Sequence, residues 1–104
     1  MREPTYFILA ALQHEPGHGY AIMSRVAELS QERVSLATGT LYQALDRLTK
    51  EGLIEVAREE VVNGRARRHY ALTPGGRSAL QAEATRMAEA ARVVLKPRLI
   101  GGTA

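Results

Sequence analysis

Apolar positions recur along this chain in three different rhythms, and their order lays out an architecture. The stretch "TYFILAALQ" from Thr5 is apolar around most of a helical circumference, and Pro4 before it suits a first turn, where its missing N–H is not needed. A helix of this kind is buried on more than one side. "HEPGHG" interrupts it. A second helix is expected over about Tyr20 to Leu29, with Ile22, Val26 and Leu29 spaced i, i+4, i+7 and Tyr20, Met23 and Ala27 beside them. "SQER" then reads as a polar turn.

The third helix opens around Ala37 to Gly39, where Thr38 can accept a hydrogen bond from a free N–H, and its inner stripe is Leu41, Leu45 and Leu48. Gly52 suits the left-handed residue that ends a helix, and Leu53-Ile54 turns back to the core. At about 100° per residue, Gln43, Asp46, Arg47 and Lys50 lie opposite the leucines, with Thr40 and Tyr42 on the flanks. The rhythm then changes to a loose alternation. "IEVAREEVV" and "RRHYAL" flank Asn63-Gly64, two residues that tolerate the positive φ of a tight hairpin turn.

Thr73-Pro74 begins the last helix, whose Ala, Glu, Arg, Leu and Met composition runs to about Lys96 before Pro97 stops it. Within it Leu80, Ala84, Met87, Ala91 and Val94 alternate spacings of four and three, a heptad seam in which alanines let a partner helix approach closely. The fold class is therefore mainly α with a small β-hairpin. Three helices, a hairpin and a helix is the element order of a winged helix-turn-helix with an added C-terminal helix. In that fold the second of the turn-linked helices, here Thr38 to Glu51, enters the DNA major groove.

Charge sharpens this picture. The 104 residues carry a net charge of +3 and a pI near 9.7, a modest excess that alone favours an acidic partner only weakly. Its distribution is more informative: four glutamates lie between Glu51 and Glu60, whereas Arg65, Arg67 and Arg68 crowd the hairpin tip. Like charges so placed call for a polyanion or a set of carboxylates opposite them. Guanidinium groups bind phosphate bidentately, and each phosphate neutralised releases counterion.

Other chemistries fare worse. The chain has no cysteine, which excludes disulfides and thiolate metal sites and is compatible with a reducing cytoplasm. "YFILAAL" is far shorter than the ~20 residues that cross a bilayer. "HEPGH" matches the literal H-E-x-x-H pattern of zinc hydrolases, but Pro16-Gly17 prevents His14 and His18 from sharing one helical face. No enzymatic activity, cofactor or metal is expected. His69 is expected to be an ordinary strand residue, and Tyr6 and Tyr20 packing residues with a polar edge.

The segments "GHGYAIMSRV", "GTLYQALDRLTKEGLIE" and "RRHYALTPGGRSAL", in this order and with similar intervals, resemble the PadR-like transcriptional regulators over most of the chain. The resemblance implies a cytoplasmic, homodimeric, DNA-binding regulator, usually a repressor, on a pseudo-palindromic double-stranded operator, often released by a small-molecule effector. It implies DNA contacts from Thr38, Gly39, Thr40, Tyr42, Gln43, Arg47 and Lys50 on the recognition helix and from Arg65, Arg67 and Arg68 on the wing. Residues 1–73 would form the DNA-binding domain, 74–98 the dimerisation helix and 99–104 a flexible tail. Phe7, Leu80, Ala84, Met87, Ala91 and Val94 are the expected dimer contacts, and Phe7, Ile8, Ala11, Met87 and Val94 candidates for an effector cavity. Two features depart from the family pattern: Thr38 stands where a proline is often found, and the last helix is short. The rival reading is a winged-helix module that holds an acidic protein with the same faces and never touches DNA.

Overall fold

In the computed structural model, which describes residues 1–96, the chain runs α1 (Glu3–Ala11), α2 (Gly19–Leu29), α3 (Thr38–Lys50), β1 (Ile54–Val62), β2 (Arg65–Leu72) and α4 (Pro74–Leu95). The expected tail at 99–104, the stop at Pro97 and the end of the expected dimerisation segment lie outside the described residues. α1, α2 and α3 enclose a core built on Ile8, Leu9, Ile22, Val26, Leu41, Leu45 and Leu48, all wholly buried. Each leucine of the α3 stripe contributes about 1.5–3 kcal/mol by leaving water, so the stripe fixes which face of α3 looks outward.

The connections are held by local hydrogen bonds. Between α2 and α3, Gln31 and Glu32 both take positive φ (55° and 65°), a costly choice for non-glycine residues. Buried Ser30 holds this turn in place, its Oγ accepting from Val34 N at 2.9 Å. α3 ends in a Schellman motif, with Leu53 N donating to Leu48 O and Gly52 N to Thr49 O, both at 3.0 Å. Thr73 caps α4: its Oγ1 accepts from Gly76 N at 2.9 Å and donates to Gly52 O at 2.6 Å. At the N-terminus of α3, by contrast, the cap residue is Ala37 and makes no side-chain bond. Thr38 is the first helical residue rather than the expected cap.

β1 and β2 pair antiparallel, closing at Asn63 (φ 53°) and Gly64 (φ 76°), the two left-handed residues of a type I′ turn. A bulge between Val56 and Arg58 accounts for the imperfect alternation of the first arm. One pairing was not expected: Gly17 exchanges both backbone hydrogen bonds with Tyr70, at 3.0 and 2.9 Å, so the α1–α2 loop adds a one-residue third strand beside β2. This bridge bolts the base of the wing to the segment that leads into α2. Arg25 braces the same loop, donating to Ala11 O (3.0 Å), Glu15 O (3.3 Å) and Pro16 O (3.2 Å).

Two apolar assignments change. Leu29, placed by spacing on the inner stripe of α2, is 48% exposed, and Tyr20, expected to pack, is 77% exposed. Leu29 is the last residue of α2 and lies beyond the reach of α1; Tyr20 stands one residue into α2 on the side facing the wing.

Candidate nucleic-acid interface

The outer face of α3, the first turn of α2 and the inner side of the wing together line an open cleft of about 1110 Å³. α3 supplies Gly39, Tyr42, Gln43 and Asp46; the α2 start supplies His18, Gly19 and Tyr20. The wing supplies Arg65, Arg67 and Arg68 together with Asn63 at its tip and Tyr70 at its base. Thus Gly39, Tyr42, Gln43 and the three wing arginines, which sequence grouped as one site, stand around one space. His18, Gly19, Tyr20, Asp46 and Asn63 were not foreseen there.

The remaining residues expected on this face sit elsewhere. Thr38, Thr40 and Lys50 are exposed but do not line the cleft. Arg47 turns to the opposite flank, where its guanidinium donates to Thr5 Oγ1 at 3.0 Å and to Glu51 Oε1 at 3.5 Å. It borders a separate hollow with Met1, Arg2 and Leu53. The cause is angular: Arg47 is displaced from Tyr42 by more than a third of a turn, and α1 docks against that side.

Tyr42 reaches the cleft because of what lies under it. Its ring rests on Gly19, where a Cβ would collide with the phenol hydroxyl and come within 2.8 Å of Cζ. The absence of a side chain at Gly19 therefore sets the tilt of an aromatic residue two helices away in sequence. His18 caps α2, its Nδ1 accepting from Ala21 N at 3.3 Å. Its ring also meets His69 edge to face at a centroid distance of 5.3 Å. Burial, the charge of Arg67 and the neighbouring His69 together hold His18 below the usual imidazole pKa.

The hairpin carries its own counter-charges. Register places Glu59 opposite Arg68 and Glu60 opposite Arg67. Arg68 Nε donates to Glu59 Oε2 at 2.9 Å, and this bond, with a further one to Tyr70, raises the already high guanidinium pKa. Glu60 Oε1 instead meets His69 Nε2 at 2.7 Å, and that hydrogen bond holds the Glu60 carboxyl below its ordinary value. His69 is only 7% exposed, so it ties the wing's base together rather than facing solvent. The carboxylates answer part of the question posed by the crowded arginines. Among the described residues no carboxylate lies within salt-bridge distance of Arg65 or Arg67.

The residues expected at a subunit interface divide along α4. Leu80 is buried in the subunit's own core, so it is unavailable to a partner. Ala84 and Met87 are half-buried, and Ala91 and Val94 are exposed. Phe7 is half-buried on α1, packed against the core. The most exposed apolar side chains of the described residues are Val93 (83%), Val94 (81%) and Leu95 (76%). Nor do the candidate effector-cavity residues gather within the subunit: Ile8 and Ala11 are packed inside the core, whereas Val94 stands near the far end of α4.

His14 lies beyond the end of α1 while His18 caps α2, so the H-E-x-x-H residues do not share a helix. Among the described residues no group of three or more His, Asp or Glu is placed to hold a metal, and no helix is long and apolar enough to cross a membrane.

Three helices, a two-stranded wing and a polar helix face turned toward that wing define a winged helix-turn-helix protein of the regulator class. Residues 8–82 match the transcriptional regulator PadR-like family. The chain belongs to this family, whose members are transcriptional regulators and not enzymes. It is similar to the transcriptional regulator Rv3488 of Mycobacterium tuberculosis, 47% identical over 68 residues, a match covering 65% of this chain and 63% of that protein. In structure it resembles a PadR-like transcription factor from Bacteroides fragilis, with a TM-score of 0.74 and 30% identity over 86% of this chain and 84% of the other. It also resembles Bacillus subtilis PadR in complex with operator DNA, with a TM-score of 0.69 and 25% identity over 99% of this chain and 52% of the other.

Proposed function

We propose that this chain is a DNA-binding repressor that works as a homodimer on a pseudo-palindromic operator. The observation that carries the reading is the shared cleft: Gly39, Tyr42 and Gln43 of α3 and the arginines of the wing surround one space on one side of the molecule. α3 lies in the major groove, with Gln43 facing base edges and Tyr42 the backbone, while Arg65 and Arg67 hold phosphates. Asp46, on the same face, disfavours close phosphate approach and suits a cytosine amino group. The likeness to a regulator crystallised on operator DNA supports the same use of this face.

The bare apolar end of α4 supports pairing. A 22-residue helix extends about 33 Å, and its first turns alone are packed into the core. A second copy laid along Ala91, Val94 and Leu95 would cover the rest and place two α3 helices about one DNA turn, ~34 Å, apart. Occupancy of an operator then blocks transcription.

Gel-shift titration against source-promoter fragments at two salt concentrations tests this reading. Tight, salt-sensitive binding with a preference among fragments is expected. Binding to an acidic protein without any DNA shift would instead identify an interaction module. Sedimentation should give a dimer that Val94→Glu converts to monomer; a wild-type monomer would remove the twofold arrangement.

A further inference from the structure

Inside the cationic hairpin one carboxylate already occupies an arginine. Glu59 and Arg68 face each other across the ladder, joined at 2.9 Å, with side chains 51% and 57% exposed. The pair therefore lies open to a competing anion. Its neighbours differ: Glu60, opposite Arg67 in register, is turned to His69, and Arg65 is opposite Val62. The three cations of the wing are thus inequivalent although they look alike in sequence.

We propose, on the DNA-binding reading above, that Glu59 is an affinity-setting residue: it stands in for a phosphate on Arg68 and keeps the wing to two backbone contacts, from Arg65 and Arg67. Carboxylate and phosphate compete for the same guanidinium donors. For Arg68 to grip DNA, its bond to Glu59 must break. The freed carboxylate would then lie beside the phosphate chain, where like charges repel. Latched, Arg68 adds little to sequence-independent binding, and discrimination rests more heavily on α3. Arg68 shares a strand face with Tyr70, which lies inside the cleft wall, so the latch sits at the edge of the DNA path rather than remote from it.

Glu59→Gln, near-isosteric and on an exposed strand position, tests this directly. Dissociation constants for operator and unrelated duplexes should tighten alike, by roughly fivefold near ~0.1 M salt, with the log-log salt slope steeper by about 0.9. Arg68→Ala in the wild-type background should change the slope far less than Arg65→Ala or Arg67→Ala. In the Arg68→Ala background, Glu59→Gln should lose most of its effect, the coupling expected of a direct pair. Weaker or unchanged binding by Glu59→Gln overturns the latch, because Glu59 would then be positioning Arg68 for DNA. A gain that survives Arg68→Ala in full also overturns it, since Glu59 would act as a bare charge. Wild-type protein that binds no DNA at all would fail the underlying reading instead, which keeps the two failures apart.

Discussion

The two walls of the cleft are built in opposite ways. α3 is fastened from behind by three wholly buried leucines and closed at its C-terminus by a Schellman motif, so its outer face is a rigid projection of the core. The wing is a two-stranded ribbon whose outer two-thirds is exposed on both faces, attached at its base by Tyr70, Leu72 and the Gly17 bridge. A helix held by packing can place a short side chain against a base edge within a fraction of an ångström. A ribbon held only at its base is better suited to long arginines that follow a charge. Reading and holding are thus assigned to surfaces of different stiffness, and the difference follows from how much apolar area each wall buries.

Truncation of the support should separate the walls most sharply. Leu45→Ala, at a wholly buried position, is expected to cost about 2–5 kcal/mol in urea unfolding, whereas Val61→Ala on the exposed wing should stay within roughly 0.5 kcal/mol. Equal costs would mean that the wing is structural. A smaller effect is expected where the walls meet. Gly19→Ala should leave stability within about 0.5 kcal/mol, because Tyr42 can swing outward, yet weaken DNA binding about tenfold by moving that ring. If Tyr42→Phe and Gly19→Ala both bind normally, Tyr42 has no part in the contact.

The smallest effect concerns the hinge between them. His18 has a folded-state pKa below its unfolded value of about 6.5, so the folded state takes up its proton later than the unfolded chain does. Its stabilising contribution is full above about pH 6.5 and is lost as pH falls through the folded value. His18→Asn, which keeps a capping acceptor but does not titrate, should flatten the melting temperature between about pH 5 and 7. A wild-type profile already flat in that range would remove His18 from the hinge.

Much of this was legible in local sequence. The Leu41, Leu45, Leu48 stripe and the Asn63-Gly64 turn need only neighbours a few residues away, and the structure has both as read. What escaped depends on residues far apart in the chain. The direction of Arg47 is decided by where α1 docks, through Thr5. The pairing of Arg68 with Glu59 requires the register, which the bulge near Ala57 shifts by one. The Gly17 bridge is a single pairing and leaves no periodicity to detect. The heptad of α4 gave the right seam but not its ends, because spacing does not say that Leu80 is covered by the subunit itself while Val94 is bare.

The most direct test is the salt dependence of binding by the double variant Arg65→Ala, Arg67→Ala on a preferred duplex and on an unrelated one. If the wing holds phosphates and α3 reads bases, the log-log slope should shrink by roughly 1.8 on both duplexes while their order of preference stays the same. An unchanged slope, or a preference that shifts with the wing while the slope does not, would contradict the division between the two walls.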